Sequence, residues 1–358
     1  MEDNASFDEV KKEYQEFYDF LNAQEGLKEA REEARKVMSP SKKELLFQEH
    51  SISVYKYIPT EKTLHATPLF IVPSLVNKSS IMDLLKDQSF IEAMLKRGFL
   101  VYMIDWGEPT KAQRDCSLEY YLKHYLGRAI RRINKDASSS KVHLLGYCLG
   151  GMLTTLYCAL TESKGVDKMV TMVTPLNFSD GGMLSWWANK DHFEVERIVK
   201  SMGNIPADFF SASFPWLVPT SKIKQTKLLM KKHTDKKFLE SFYALDIWAT
   251  ENVGFPGKVY QDVIKYGYQE NQLVEDKSWP FESEKLSLDR VKIDVLNLCA
   301  SFDHISPVGS CEVMEKLLDN ANVETQTFAT GHLGFATGKD ARGVSTSEYW
   351  DKIESFLS

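Results

Sequence analysis

The sequence predicts an α/β protein: a mostly parallel, doubly wound sheet carrying a helical, aromatic-rich cap insertion. Three observations point there. Short β-branched apolar runs alternate with amphipathic stretches from about residue 50 to 176. The rhythm stops after Pro175 and resumes near residue 288. Between them lies Asn177 to about Ser287, rich in Trp, Phe and Tyr and without strand alternation. At 358 residues the chain can bury a large core without disulfides or metals. Its 43% hydrophobic and 26% charged composition excludes disordered and collagen-like classes. A net charge of −6 argues against a broad nucleic-acid surface.

Residues 1–40 are read as a separate N-terminal helical segment. Phe7, Val10, Tyr14, Phe17 and Leu21 are spaced 3, 4, 3, 4, an a/d stripe. Gly26 interrupts it, and Leu27, Ala30, Ala34 and Val37 continue more weakly. Two readings stay open: the stripe lies on the protein's own core, or it docks another helical chain. Pro40 breaks the pattern, and Ser41-Lys42-Lys43-Glu44 reads as a capping box opening a short helix.

From residue 51 the period changes to that of a strand, through Ile52, Val54 and Tyr57, with a phase shift at Tyr55. Leu69–Val72 is apolar throughout, as in a strand buried on both faces. A helix is expected over 89–97, a strand over 100–104, a helix over 117–134, a strand over 142–145, a helix over 149–161 and a strand over 169–173. Within the cap, helices are expected over 192–202 and 236–249. The core resumes with a strand over 291–298, a helix over 309–318, a strand over 323–328 and a final helix over 347–357. The core is thus 41–176 plus 288–358, and the cap is 177–287.

Cysteines stand at 116, 148, 158, 299 and 311, with no C-x-x-C pair, so a zinc site of ordinary spacing is not expected. Met1-Glu2-Asp3-Asn4 begins no signal peptide, and the most apolar stretch, 67–76, is too short to span a bilayer. The expectation is a reducing, cytoplasmic location with free thiols.

Strand 142–145 runs into Gly146-Tyr147-Cys148-Leu149-Gly150, then a helix. This is the nucleophile elbow G-x-S-x-G with Cys in place of Ser, and it predicts an α/β-hydrolase fold. The glycines let strand and helix pass closely, and the turn exposes the Cys148 sulfur. A thiol needs a base, because only the thiolate attacks well. In chain order, the acid and histidine should follow at later strand ends. Asp303 and His332 fit: His332 as general base, Asp303 orienting it. His304 is expected to support the site rather than react, and His143 and Cys158 to be packed core. The oxyanion donors should be the backbone N–H of Leu149 and of Val76, in Val72-Pro73-Ser74-Leu75-Val76-Asn77-Lys78. Asn77 and Lys78 either hold that loop or meet the substrate.

With these residues in place, the sequence resembles the polyhydroxyalkanoate synthases, in particular the short catalytic subunit of the two-component (class III or IV) enzymes. The resemblance runs from about Ser39 to the C-terminus. It rests on 72–78, Tyr102-Met103-Ile104-Asp105-Trp106-Gly107, Gly146–Gly151, Asp303-His304-Ile305-Ser306-Pro307 and Thr330-Gly331-His332, with Asn204-Ile205-Pro206 and Phe255-Pro256-Gly257 in the cap. Ser74 departs from it, since many members have a second proline there.

The resemblance implies an acyltransferase that polymerises (3R)-hydroxyacyl-CoA, with 3-hydroxybutyryl-CoA the first candidate, into polyester through a Cys148 thioester. No cofactor is then needed; CoA is product. Asp303 would act through His332 or also on the incoming hydroxyl. The long N-terminal domain of single-component synthases is not seen, which implies a second, non-catalytic subunit; a homodimer is a further expectation, as is a place on polyester granules. Two alternatives remain: a cysteine hydrolase of the same fold, thioesterase or dienelactone-hydrolase-like, and a non-enzymatic granule protein.

Overall fold

The structure is a computed structural model describing residues 7–62, 65–340 and 342–358, with the side chains of residues 7 and 8 left out. The Phe7 side chain and Met1-Glu2-Asp3-Asn4 therefore lie outside the described residues.

Eight strands form the main sheet: β1 (Lys43–Glu49), β2 (Ile52–Tyr57), β3 (Leu69–Val72), β4 (Val101–Asp105), β5 (Val142–Tyr147), β6 (Val166–Met172), β7 (Asp294–Ala300) and β8 (Asn322–Phe328). Their spatial order is β1-β2-β4-β3-β5-β6-β7-β8. β1 and β2 run antiparallel to each other and β2 to β4; β3 through β8 are parallel. β3 and β5 are buried at every residue because helices cover both faces. Phe90–Lys96 and Glu348–Leu357 pack against one face, through Phe90, Trp350 and Ile353. Leu149–Thr161 and the helix over 118–136, which contains a π-helical turn at Tyr121–Leu126, pack against the other.

Ser41-Lys42-Lys43-Glu44 does not open a helix; it leads into β1. Edge pairing prevails over the local capping pattern, since β1 gains a full antiparallel ladder with β2. The ladder slips between Leu45 and Phe47, opposite Tyr55 and Val54. The extra residue is Leu46 on β1, while β2 keeps an unbroken register with β4 through Tyr55.

Between β6 and β7 the chain builds a helical layer that includes Met183–Trp187, Val195–Met202, Ala207–Ser213, Ser221–Lys232, Lys236–Thr250 and Gly257–Asp262. The expectation of no strands there fails at its end, where Ser278–Pro280 and Lys285–Ser287 form a small hairpin around fully buried Trp279. The two cap motifs clip together. Ile205 and Phe255 exchange backbone hydrogen bonds of 2.9 and 2.8 Å, and Asn204 Oδ1 accepts from the Gly257 N–H at 3.2 Å.

The N-terminal segment forms two helices, Phe7–Asn22 and Gln24–Val37, breaking at Ala23 rather than at Gly26. The two helices differ in how they are covered. Leu27 and Ala34 are buried against Leu239 and Tyr243 of Lys236–Thr250. Val10, Tyr14, Phe17 and Leu21 instead stand 53, 71, 45 and 48% exposed. Phe20, off the stripe, holds this helix to the cap by an edge-on contact with His233.

Candidate active site

Three loops at the carboxyl edge of the parallel strands carry the site. After β5, Cys148 adopts φ 56° and ψ −128°, a conformation costly for any residue with a Cβ. The neighbours over-determine it. The Cys148 N–H donates to the Met172 carbonyl at 2.9 Å, and its own carbonyl accepts from Gly151 N–H at 2.9 Å. The glycines are steric requirements: a Cβ on Gly150 would lie 1.9 Å from the Val72 oxygen, and one on Gly146 2.3 Å from the Gly151 Cα. The sulfur thus stands at the N-terminus of Leu149–Thr161, where the helix dipole favours negative charge.

After β7, Asp303 turns inward. Its Oδ1 accepts from the N–H groups of Ile305 and Ser306 at 2.8 and 2.9 Å. Its Oδ2 accepts from Nδ1 of His332, which follows β8, at 2.7 Å. With Nδ1 so engaged, Nε2 is the ring nitrogen left for the Cys148 sulfur, which shares the cavity floor with it. Burial alone would lower the His332 pKa, but the charges of Asp303 and of a Cys148 thiolate, with both hydrogen bonds, raise it to about 10. The arrangement favours an imidazolium beside the sulfur. Tyr147, within the elbow, donates its hydroxyl to the His332 carbonyl at 3.0 Å and so fixes the histidine loop.

The loop after β3 faces the elbow. Leu149 and Val76 both line the cavity. The Val76 N–H is engaged by Ser74 Oγ at 3.3 Å, a long bond that a stronger acceptor can displace. Asn77 and Lys78 hold the loop to the cap. Asn77 Nδ2 donates to Asn252 Oδ1. Lys78 Nζ meets Glu251 Oε2 at 2.7 Å, and the Lys78 carbonyl accepts from the Trp248 indole at 2.8 Å. The other Glu251 oxygen pairs with Arg35 of the N-terminal helix. First Arg35 and then Lys78 hold the Glu251 carboxyl down to about 2. From below, the Trp106 indole donates to the Pro73 carbonyl at 3.0 Å, which explains the Asp105-Trp106-Gly107 stretch.

Above the sulfur is a cavity of about 1060 Å³. Cap aromatics including Trp187, Phe210, Phe242 and Trp248 line it beside Cys148 and His332. Phenolic Tyr268 lines it too; burial, then the Cys148 charge, keeps it neutral. The cavity, lined largely by apolar side chains, suits an apolar ligand beside the sulfur.

Not every expected residue belongs. His304 is exposed and outside the cavity lining, so it supports neither Asp303 nor His332. Its side chain must point away because Asp303, its neighbour, points in. Cys158 and His143 are buried in the core, and burial lowers the His143 imidazole to about 4. Sequence reading missed Tyr147, Glu251 and Asn252; only Tyr147, inside the elbow, stood within a recognisable pattern. Among the described residues no cluster of three or more His, Cys, Asp or Glu could hold a metal ion.

Residues 67–339 match the family described as alpha/beta hydrolase fold, and residues 9–94 match poly-beta-hydroxybutyrate polymerase (PhaC) N-terminus. Similar curated proteins include the poly(3-hydroxyalkanoate) polymerase subunit PhaC of Synechocystis sp., 30% identical over 84% of this chain and 82% of that one. The subunit of the same name from Allochromatium vinosum is 30% identical over 85% and 86%. That of Haloferax mediterranei is 25% identical over 88% of this chain, which spans only 63% of its length. Among solved structures, carboxylesterase CesB from Bacillus subtilis superposes with a TM-score of 0.51 at 13% identity, covering 94% of this chain and 98% of that one. A monoacylglycerol lipase from Paleococcus ferrophilus does so with 0.51 at 17%, covering 87% and 98%. These two likenesses concern the fold alone.

Proposed function

This chain belongs to the poly(3-hydroxyalkanoate) polymerase family, and we propose that it polymerises (3R)-hydroxyacyl-CoA thioesters into polyester through a covalent Cys148 thioester. The observation that carries this is the chain of contacts from sulfur to His332 to Asp303 at the floor of an apolar cavity.

In the proposed cycle the Cys148 thiolate attacks the thioester carbonyl, and the N–H groups of Leu149 and Val76 receive the oxyanion. CoA leaves and takes the proton from His332. The hydroxyl of an incoming hydroxyacyl-CoA then attacks the enzyme thioester, giving its proton to His332 as the sulfur leaves. The lengthened CoA thioester re-acylates Cys148 and frees CoA. A thiol suits such a cycle, because successive thioester exchanges are nearly balanced in energy. Asp303 orients and charges the ring; its side chain is fully enclosed, which supports action through His332 rather than on the substrate hydroxyl. No cofactor enters this chemistry.

We place 3-hydroxybutyryl-CoA first among substrates. A second, non-catalytic subunit is proposed to dock on the exposed stripe of Phe7–Asn22, with the complex at polyester granules. No helix among the described residues is long and apolar enough to cross a membrane. Incubating the purified protein with 3-hydroxybutyryl-CoA tests the function. Release of CoA with insoluble polyester is expected; release with free acid alone would make the chain a hydrolase, and no release would leave the granule-protein alternative.

A further inference from the structure

The cavity above Cys148 is walled largely by apolar side chains, and the serine hydroxyls among them are engaged. Those of Ser211 and Ser213 bond to helix carbonyls, and that of Ser241 to Gln88. Two phenols differ. Tyr260 and Tyr268 both line the cavity, and among the described residues neither hydroxyl has a hydrogen-bond partner. Neither hydroxyl is sealed within the protein. Burial is nevertheless the first cause that raises both phenols, so they open on the cavity and not on the outer surface. A phenol in such a wall costs free energy that a phenylalanine would not, unless a ligand atom accepts its hydrogen bond.

Tyr268 is the one directed to the reacting centre. The charge of a Cys148 thiolate acts on it and not on Tyr260, whose phenol responds to burial alone. Tyr260 sits instead among Phe209, Phe210 and Phe255. The chain around Tyr268 holds it in place. It lies on Val263–Gln269, a π-helical segment, a rare geometry that recurs at functional sites. Its ring meets Phe178 edge-on with centroids 4.8 Å apart, and a Cβ on the preceding Gly267 would lie 3.2 Å from the same ring. Gln269 Nε2 donates to the Ala188 and Phe193 carbonyls at 3.0 and 2.9 Å. Asn271, at φ 47°, accepts from the Phe178 N–H at 2.9 Å and donates to Asn177 Oδ1 at 3.1 Å. These contacts pin the segment, and none of them uses the Tyr268 hydroxyl.

We propose that Tyr268 is a specificity-determining residue whose hydroxyl donates a hydrogen bond to the oxygen at C3 of the acyl group on Cys148. This rests on the acyl-thioester reading of the site. With the acyl carbonyl at the Leu149 and Val76 N–H groups, the rest of the acyl group extends into the cavity, and its C3 oxygen is the first acceptor it brings there. A fixed phenol favours acyl groups that carry this oxygen, because an unsubstituted acyl group leaves the donor unmatched. Being neutral, the phenol adds no charge beside the thiolate.

Tyr268→Phe keeps the ring against Phe178 and removes the hydroxyl alone. The test follows acylation of Cys148 as the first equivalent of CoA released, from (R)-3-hydroxybutyryl-CoA and from butyryl-CoA. Butyryl-CoA can acylate the sulfur but has no hydroxyl with which to extend a chain. The native protein should prefer the hydroxyacyl substrate. In Tyr268→Phe the second-order acylation constant for that substrate should fall roughly tenfold or more, while that for butyryl-CoA stays within about twofold. Tyr260→Phe should leave the ratio between the two substrates at its native value. An equal fall with both substrates, the result of lost packing, overturns the proposal, and so does no change with either. No CoA release from the native protein with either substrate would refute acyl transfer rather than the phenol contact. Ligand-observed NMR with methyl (R)-3-hydroxybutyrate and methyl butyrate then reads that contact without turnover. Tighter binding of the hydroxy ester by the native chain, lost in Tyr268→Phe and kept in Tyr260→Phe, supports it; equal binding of the two esters by the native chain overturns it.

Discussion

His332 Nδ1 donates to Asp303 Oδ2 at 2.7 Å, and the two side chains divide the site between solvent-sealed and accessible: Asp303 is fully enclosed, whereas the ring keeps an edge on the cavity. The pairing makes a signed prediction about pH. The folded-state pKa of His332, about 10, lies above its ordinary value of about 6.5. The stability this contributes is fully present below about pH 6.5 and is lost as pH rises through about 10. Asp303→Asn removes a raising charge, so the His332 resonance followed by NMR should titrate at lower pH than in the native protein. The unfolding free energy of the variant should fall less between neutral and alkaline pH. An unchanged titration would separate the two residues functionally despite their contact.

Cys148 combines nucleophile and strain, and two substitutions separate them. Both Cys148→Ala and Cys148→Gly should abolish CoA release from hydroxyacyl-CoA, because each removes the sulfur. They should differ in stability. Ala keeps the Cβ at φ 56° and so keeps the strain, whereas Gly adopts that region freely. The Gly variant is expected to be about 1 kcal/mol more stable than the Ala variant in urea denaturation, the lower end of the cost of such conformations. The reverse order would mean that the elbow stores no strain.

Glu251 bridges Arg35 and Lys78 and thereby ties the N-terminal helices to the loop that presents the Val76 N–H. Glu251→Gln keeps the shape and removes the charge that holds both cations. If loop position governs oxyanion binding, kcat should fall several-fold while KM for the acyl-CoA stays within about twofold, since a transition-state contact is lost and ground-state binding is kept. Glu251→Asp should recover part of the loss. A rise in KM with kcat unchanged would instead assign the network to substrate binding.

The parallel half of the sheet was legible because its strands are buried on both faces, and an unbroken apolar run such as Leu69–Val72, too short for a helix, fits a doubly covered strand. β1 was not, because Lys43–Glu49 is an edge strand whose mostly exposed residues mimic a helix start, and only its ladder with β2 decides the matter. At the site, Cys148, Asp303 and His332 were legible from their place just beyond strand ends in a known chain order. Glu251 and Lys78 stand 173 positions apart, and an ion pair at that separation leaves no local pattern. His304 shows the opposite failure: it adjoins Asp303 in sequence but not in the site, because neighbours on a turn diverge.

The N-terminal helices should separate folding from association. Leu27 and Ala34 fill a contact with Leu239 and Tyr243, so deleting residues 1–38 uncovers apolar surface on the cap helix that also holds Glu251 and Asn252 close to the oxyanion loop. That deletion should destabilise the protein and lower activity. Leu27→Ala alone should cost about 2 to 3 kcal/mol, the low end for a buried leucine because the site is peripheral. Deleting only residues 1–22 removes the exposed stripe and leaves Gln24–Val37 in place. It should leave the melting temperature within a few degrees of the native value and abolish assembly with a helical partner subunit, as measured by light scattering of the mixed proteins. Tyr14→Glu and Phe17→Glu together should reproduce that loss without any truncation, since both side chains are exposed and neither supports the fold. If the shorter deletion unfolds the protein while the double substitution still binds the partner, the stripe packs within the chain and the docking surface lies elsewhere.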